Sequence, residues 1–339
     1  MLVVAYIGFG VSVREYHIPY VEDRDDVRVK YVYRRMEDRI GDEACEAYYP
    51  EIIFTSDIND IYNDPEVNLV VVNTPDKFHV PYAMEILNHG KHALIEKPFA
   101  ATAAEAKQVF DLAKEKGLIV TSNQNRRYDA DMLCLKSVLD RGVLGELVKF
   151  ESHYDYYRPQ GWYHYFGVLY NLAVHTIDQV ISLFGKPDWT NYDVRSIIFP
   201  GEADDYYDLE FHYGKLKATV NTSMLCAIDY PRFTVHGTKG SLTLPPVLHN
   251  SSKKKTEGRF KANRQPAGED RWGTLVYFDD EGIRHEEKVP VGCAHYERVY
   301  ENLIDCICNG GEKAIKDEEV ITVLEILEEA TAVAKKWSK

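Results

Sequence analysis

The chain of 339 residues is 45% hydrophobic and 28% charged, with a formal net charge of -14 at pH 7. That composition is ordinary for a globular protein and too long for one simple core, so two domains are expected. The acidic balance argues against a non-specific grip on nucleic acid or an anionic membrane, although a local basic pocket for a phosphorylated ligand fits inside it. The apolar start has no basic leader and is far shorter than the roughly 20 residues of a membrane span. A cytoplasmic protein with neither nucleic-acid nor membrane partner is expected. Cys45, Cys134, Cys226, Cys293, Cys306 and Cys308 are scattered, and without a second pair at ligand spacing no metal is expected.

Residues 2–7 form an apolar run that leads straight into Gly8-Phe9-Gly10 and a segment able to become a helix. The first glycine permits a tight turn, and the second lets backbone approach a pyrophosphate. The amides that open the helix, from Val11 onward, then meet the phosphate charge. The third glycine of this fingerprint would fall at position 13, which is Val13, so the first helix is expected slightly farther from the sheet. A strand–turn–helix with no ligand would carry the same two glycines, and the later strand ends have to decide.

A strand over 27–33 ends in Arg34-Arg35, and a charged helix over 37–48 follows. After a brief strand at 52–54, residues 69–72 are continuously apolar, as in strands buried on both faces of a parallel sheet. That run ends at Asn73-Thr74-Pro75. A helix over 78–88 includes His79, and a strand at 93–95 is closed by Glu96-Lys97-Pro98. An alanine-rich amphipathic helix over 103–116 and a strand at 118–120, leading to Gln124, complete the alternation. It predicts an α/β fold with a doubly wound parallel sheet over 1–123. Right-handed crossovers put the strand C-termini on one edge, where such sheets bind ligands. The candidate dinucleotide contacts are therefore Gly8, Phe9, Gly10, Val11, Arg34, Arg35, Asn73, Thr74, Pro75, His79, Glu96, Lys97 and Gln124.

Beyond residue 123 the pattern changes. A helix over 130–139, a long strand over 147–157 and a helix over 169–183 precede strand signals from 190 to 287, with turns at Tyr213-Gly214, 237–240 and 279–282. Residues 251–270 read as a polar, basic surface excursion, and helices over 296–309 and 318–337 close the chain. This predicts an α+β domain over 124–339 on a large, mostly antiparallel open sheet.

Arg34 and Arg35 lie 26 and 27 residues after Gly8. A dinucleotide with a free ribose hydroxyl needs an acidic residue there, whereas a 2′-phosphate needs a cation. The pair therefore favours NADP(H), with NAD(H) possible, unless it is only the exposed basic start of a helix. Lys97, held between Glu96 and Pro98, can donate to or exchange a proton with a hydroxyl or carbonyl oxygen. Alone it would be surface decoration. His175 shares a predicted helix face with Asn171, and Asp178 lies three residues on. The imidazole can meet a substrate oxygen or be a packed structural histidine. The aromatic stretch from Tyr154 and Tyr156 through Arg158 to Trp162 and Phe166 can line a pocket for a polyhydroxylated ligand or form an oligomer interface.

Gly8-Phe9-Gly10, Thr74-Pro75, Glu96-Lys97-Pro98 and His175-Thr176-Ile177-Asp178 followed by Leu183-Phe184-Gly185 together resemble the glucose–fructose oxidoreductase / inositol dehydrogenase / rhizopine catabolism (Gfo/Idh/MocA) family. His17-Ile18-Pro19, Asn125-Arg126-Arg127 and residues 154–159 look most like its uncharacterised and scyllo-inositol dehydrogenase-like bacterial members. The resemblance implies a Rossmann domain, a second domain on an open sheet, and homodimers or homotetramers joined through that sheet. It implies nicotinamide-dependent oxidation of a sugar, polyol or cyclitol hydroxyl, or the reverse, with Lys97 and His175 catalytic. Asn171, Asp178, Arg126, Tyr156, Arg158 and Trp162 become substrate-binding candidates. The family's frequent aspartate before the histidine is Asn171 here, and a glycine is Ala173. Some relatives bind the dinucleotide without catalysis, so a regulatory dinucleotide- and sugar-binding protein is the alternative.

Overall fold

A computed structural model describes residues 1–40, 42–160, 167–247, 258–262 and 271–337. Its contacts divide the chain into two units. The first contains Met1–Asn125 and takes in Ser252–Asn263 and Tyr296–Ile321; the second contains Arg126–Ser251, Arg264–His295 and Thr322–Lys339. A single division at residue 123 therefore does not describe where the late segments pack.

The first unit is built on six parallel strands: β1 (Leu2–Ile7), β2 (Val27–Tyr33), β3 (Ile53–Thr55), β4 (Leu69–Val72), β5 (His92–Ile95) and β6 (Val120–Ser122). Their order is β3-β2-β1-β4-β5-β6, the doubly wound arrangement in which the winding reverses between β1 and β4. All residues of β1 and β4 are buried, as strands covered by helices on both faces must be. The helix Ala103–Lys116 begins where the Thr102 side chain accepts from the Glu105 N–H and ends at Gly117, whose φ of 65° suits a residue without a Cβ.

The helical stretch after the glycines is irregular. Val13–His17 forms a π-helical turn and Ile18–Val21 a single α-turn. The Val13 side chain is fully buried, and the wider turn gives room for it where the three-glycine pattern has no side chain at all. The charged helix expected over 37–48 is broken into two single turns, Met36–Arg39 and Glu43–Glu46.

In the second unit, eight strands form one sheet: β7 (Leu147–His153), β8 (Trp189–Arg195), β9 (Tyr206–Tyr213), β10 (Leu216–Ser223), β11 (Phe233–Gly237), β12 (Gly240–Leu244), β13 (Trp272–Phe278) and β14 (Arg284–Pro290). The order is β14-β13-β12-β11-β7-β10-β9-β8. Only β7 and β10 pair parallel; the other pairs are antiparallel. Burial alternates along β9, with Tyr207, Leu209 and Phe211 inward, the two-residue period of a sheet with one covered face. The helix Val174–Phe184 lies against β10, and Val174 to Ile181 are all buried. Among the described residues no helix is long and apolar enough to cross a membrane.

Candidate active site

Gly8 ends β1 at the point where the winding reverses. Its φ is 104°, and a Cβ there would stand 2.4 Å from the Asn73 carbonyl oxygen. Only glycine lets these two strand ends approach so closely. Nothing lies within 4 Å of where a Cβ on Gly10 would stand, and Val11 beyond it is exposed. That open backbone beside the first helical turn is the cradle a diphosphate requires.

Next to it lies a buried polar network. Glu96 Oε1 accepts from Ser12 Oγ at 2.6 Å and Asn123 Nδ2 at 2.9 Å, and lies 2.9 Å from His17 Nε2. Asn73 Nδ2 stands 3.3 Å from the same oxygen. His17 Nδ1 lies 2.6 Å from Tyr300 Oη, which is 2.8 Å from Tyr6 Oη. Burial pushes the Glu96 carboxyl up, but His17 and the donors from Ser12 and Asn123 more than reverse this and hold it down at about 2. Glu96 Oε2 takes the Lys97 backbone N–H at 3.2 Å, so the glutamate ties the lysine's main chain to the network. Lys97 itself is half-buried.

Each ring nitrogen of buried His79 faces a carbonyl oxygen, that of Pro98 at 2.7 Å and that of Thr74 at 2.9 Å. The histidine thus joins the strand-end loops after β4 and β5, and Pro75 beside it is exposed. Among the described residues, Asn73 Oδ1, Thr74 Oγ1, Ser122 Oγ and Gln124 Oε1 are buried without a hydrogen-bond partner. Buried polar atoms are rarely left so, and these four sit at the C-terminal ends of β4 and β6. A nicotinamide dinucleotide, with its amide and ribose hydroxyls, fits such a set of donors and acceptors.

At the end of β2 the arginines divide. Arg34 is buried and donates to Glu46 and Asp42 at 2.8 Å each, and to the Asp38 carbonyl. Its guanidinium carbon lies 5.5 Å from the centre of the buried Phe9 ring. Arg35 turns outward, with its side chain 55% exposed, onto Asp38 and Glu37.

The second unit has its own polar centre. Arg127 Nε and Nη2 donate to the two oxygens of Asp178 at 2.7 and 2.6 Å, and both residues are buried. Asp178, expected to steer His175 or meet substrate, is therefore one half of an interior bidentate pair. Arg232, fully buried, donates to Ser152 at 2.5 Å and Gln179 at 2.6 Å, and Gln179 donates to the Arg126 carbonyl at 2.9 Å. Arg126 reaches Tyr154 Oη at 2.5 Å. The Arg158 guanidinium lies 5.2 Å from the ring centre of Tyr156, whose hydroxyl is pushed far up by burial.

His175 is buried at the start of Val174–Phe184, and a π-helical turn, Leu169–Ala173, separates it from the regular spacing expected of Asn171. Asn171 donates to the Gly167 carbonyl at 2.9 Å. Trp162 lies outside the described residues. The roles of Ser12, His17, Asn123, Arg127 and Arg232 are not legible in the sequence: His17 and Arg127 stand there only as parts of the resemblance motifs, and the others carry no signal beyond polarity in apolar surroundings, which becomes visible once burial is known.

Comparisons with known proteins agree with this geometry. The description "Oxidoreductase family, NAD-binding Rossmann fold" matches residues 2–124, and "Oxidoreductase family, C-terminal alpha/beta domain" matches residues 136–337. The chain is 44% identical over 334 residues to the uncharacterized oxidoreductase YhhX of Escherichia coli, covering 96% of this chain and 94% of that one. It is 29% identical over 346 residues to scyllo-inositol 2-dehydrogenase (NADP(+)) IolW of Bacillus subtilis, covering 98% and 93%. The crystal structure of an oxidoreductase from Bacillus cereus superposes with a TM-score of 0.89 at 35% identity, covering 98% of this chain and 96% of that one.

Proposed function

The chain belongs to the glucose–fructose oxidoreductase / inositol dehydrogenase / rhizopine catabolism family of oxidoreductases, and from that premise we propose that it uses NADP(H) to interconvert a hydroxyl and a carbonyl on a sugar, polyol or cyclitol. The observation that carries the reading is the ligand-shaped edge at the winding reversal. There a Gly8–Asn73 contact admits only glycine, Gly10 leaves open backbone, and four buried polar atoms lack partners among the described residues.

A bound nicotinamide dinucleotide would supply the hydride-transfer chemistry. The chain's own residues handle the proton. Lys97, its backbone N–H held by Glu96, exchanges the substrate's hydroxyl proton and steadies the developing alkoxide in the reverse direction. His175 is the second proposed proton-transfer group. Asn171, Arg126, Tyr156 and Arg158 bind the remaining hydroxyls. Two features support NADP(H) in particular: the cation Arg34 directly after β2, where NAD(H) enzymes need an acid, and the likeness to IolW, whose name carries NADP(+).

Paired titrations with NADP(H) and NAD(H), followed by a redox screen of inositols, aldoses and keto-inositols, test the reading. Tighter NADPH binding with turnover on a member of the panel is expected. A preference for NAD(H) would overturn the 2′-phosphate assignment. Tight binding with no turnover across the panel would favour the non-catalytic sensor, the role for which Asn171 in place of an aspartate speaks.

A further inference from the structure

Two guanidinium groups, not one, lie against the Phe9 ring. The ring is pinned edge-on by Tyr49 and Phe54, with centroids 5.4 and 5.0 Å away. Arg34 places its guanidinium carbon 5.5 Å from the ring centre and Arg14 places its own at 5.8 Å. A chain of side-chain contacts also links the two arginines. Arg14 Nη1 donates to Cys45 Sγ at 3.4 Å, the Cys45 thiol donates to Asp42 Oδ1 at 2.9 Å, and Asp42 Oδ2 takes Arg34 Nη2 at 2.8 Å.

The charges in this cluster do not balance. Arg34 and Arg39 share Glu46, Arg39 as a fork at 3.0 and 2.7 Å. Asp42 supplies the other carboxylate. Arg14 has no ion pair among the described residues, and its Nε is buried without a hydrogen-bond partner. Among the described residues, three guanidiniums thus face two carboxylates at the end of β2. Arg35, the neighbour that the sequence pairs with Arg34, spends its charge outward on Asp38 and Glu37. Arg14 is meanwhile held from a second side, with the Phe260 ring centre 5.9 Å from its guanidinium carbon. Phe260 follows Arg259, which pairs with Glu22 at 3.2 Å and with Glu51 and lies 4.6 Å from the Tyr49 ring centre.

We propose that Arg14 and Arg34, rather than Arg34 and Arg35, seat the 2′-phosphate of NADP(H), and that the Asp42 carboxylate holds that seat when the phosphate is absent. A phosphate dianion gives each guanidinium the oxygens that a fork of N–H donors matches. It supplies the charge Arg14 lacks and takes over the place of Asp42, whose side chain is 44% exposed and can turn to water. The edge-on ring cluster keeps both cations at fixed positions, so little side-chain entropy is lost on binding. The inference rests on the NADP(H) reading above and deepens it.

The test uses adenosine 2′,5′-bisphosphate and 5′-AMP, which differ only in the 2′-phosphate, titrated by calorimetry into the full chain. The wild type is expected to bind the bisphosphate at least tenfold more tightly. Arg14→Met should lose about tenfold of that preference with 5′-AMP affinity unchanged, Arg35→Met should lose less than twofold, and Asp42→Asn should tighten the bisphosphate severalfold. Melting curves without ligand check that each variant folds, and if Arg14→Met does not, Arg14→Lys and Asp42→Asn carry the test. A wild type that binds both ligands equally would overturn the NADP(H) reading itself. A wild-type preference that survives Arg14→Met, or falls equally in Arg35→Met, would overturn the Arg14 seat and leave NADP(H) standing. Equal loss of both ligands in a folded Arg14 variant would also overturn it, because Arg14 would then serve the adenosine.

Discussion

Around Asp178 the buried charges meet their complements: Arg127 grips both carboxylate oxygens, and Arg232 is shared among Ser152, Gln179 and Asp131. At the strand ends of the first sheet the situation is opposite, since Asn73 Oδ1, Thr74 Oγ1, Ser122 Oγ and Gln124 Oε1 are buried with no partner among the described residues. Both regions are polar, buried and rich in residues that a sequence reader would mark as functional. They differ in degree of saturation: around Asp178 each charge has an ionic or hydrogen-bonded partner, although Arg232 Nε faces Asp131 at 3.2 Å without a hydrogen bond, whereas the four strand-end atoms have no partner among the described residues. A saturated centre holds its own fold together, and an unsaturated one costs stability until a ligand completes it. This criterion supports the proposal that the strand-end edge binds the dinucleotide and that Asp178 serves the fold, holding Arg127 beside the segment that carries His175.

The sharpest way to break that contrast is at Lys97, the candidate with a chemical role at the unsaturated edge. Lys97→Met is expected to lower turnover on the order of 10³-fold, within the range that a positioned proton-transfer group supplies. NADP(H) affinity, followed by the quenching of intrinsic fluorescence, should change less than about threefold. Unchanged turnover would remove Lys97 from the chemistry and leave the edge a binding site only.

Asp178→Asn addresses the saturated side. Breaking a buried ion pair by neutralising one partner leaves the Arg127 charge uncompensated, which costs about 3–5 kcal/mol. Urea unfolding should record that loss, with dinucleotide affinity of the folded protein retained. Intact stability accompanied by a raised KM would instead make Asp178 a substrate group and dissolve the distinction.

Two carboxyl groups, one in each unit, set opposite pH trends. Glu96 is held at about 2 in the folded protein, below its ordinary 4.5. Its contribution is therefore complete above pH 4.5 and lost as pH falls from there towards 2, about 3 kcal/mol in all. Asp204, which accepts the Leu169 N–H at 2.7 Å, is raised by burial to about 6 despite its backbone donors. It favours the folded state fully below pH 3.8, and that contribution disappears as pH rises through 6. Stability measured from pH 3 to 7 in Glu96→Gln should lose the acid-side fall, and in Asp204→Asn the decline between pH 4 and 6. If neither variant changes the pH profile, these carboxyls are not what the polar centres are organised around.

How far the sequence carried this reading depended on whether a residue's partner was local. The helix Ala103–Lys116 was legible to the residue, because its cap Thr102, its alanines and its stop Gly117 are all adjacent in the chain. The strand expected at 118–120 is found at Val120–Ser122 because the Leu118 N–H still closes the preceding helix on the Ala113 carbonyl, 2.8 Å away. The helix expected over 37–48 is broken where Arg34, from outside it, draws in the Asp38 carbonyl, Asp42 and Glu46, and Arg39 turns onto Glu46. Gly8, Asn73, Glu96 and Lys97 were legible as strand ends brought to one edge. The arginine that completes the end of β2 was not: Arg14 reaches Cys45 across 31 residues, and no spacing rule connects them.

The smallest expected effect tests saturation most directly, because it has two signs. Thr74 Oγ1 is buried without a partner among the described residues, so in the free protein its hydroxyl is a cost. Thr74→Val keeps the shape and removes the polar atom, and should raise the stability of the unliganded protein by about 1 kcal/mol. If that hydroxyl is reserved for the dinucleotide, the same substitution should weaken NADP(H) binding about fivefold, since a hydrogen bond made only in the complex is lost. Stability and affinity then move in opposite directions in one variant. A gain in stability with no loss of affinity would mean that the atom is unsatisfied for a reason unconnected with the cofactor. A loss of both would mean that the hydroxyl already has a partner, and that the strand-end edge is closer in kind to the centre around Asp178 than the contrast between them implies.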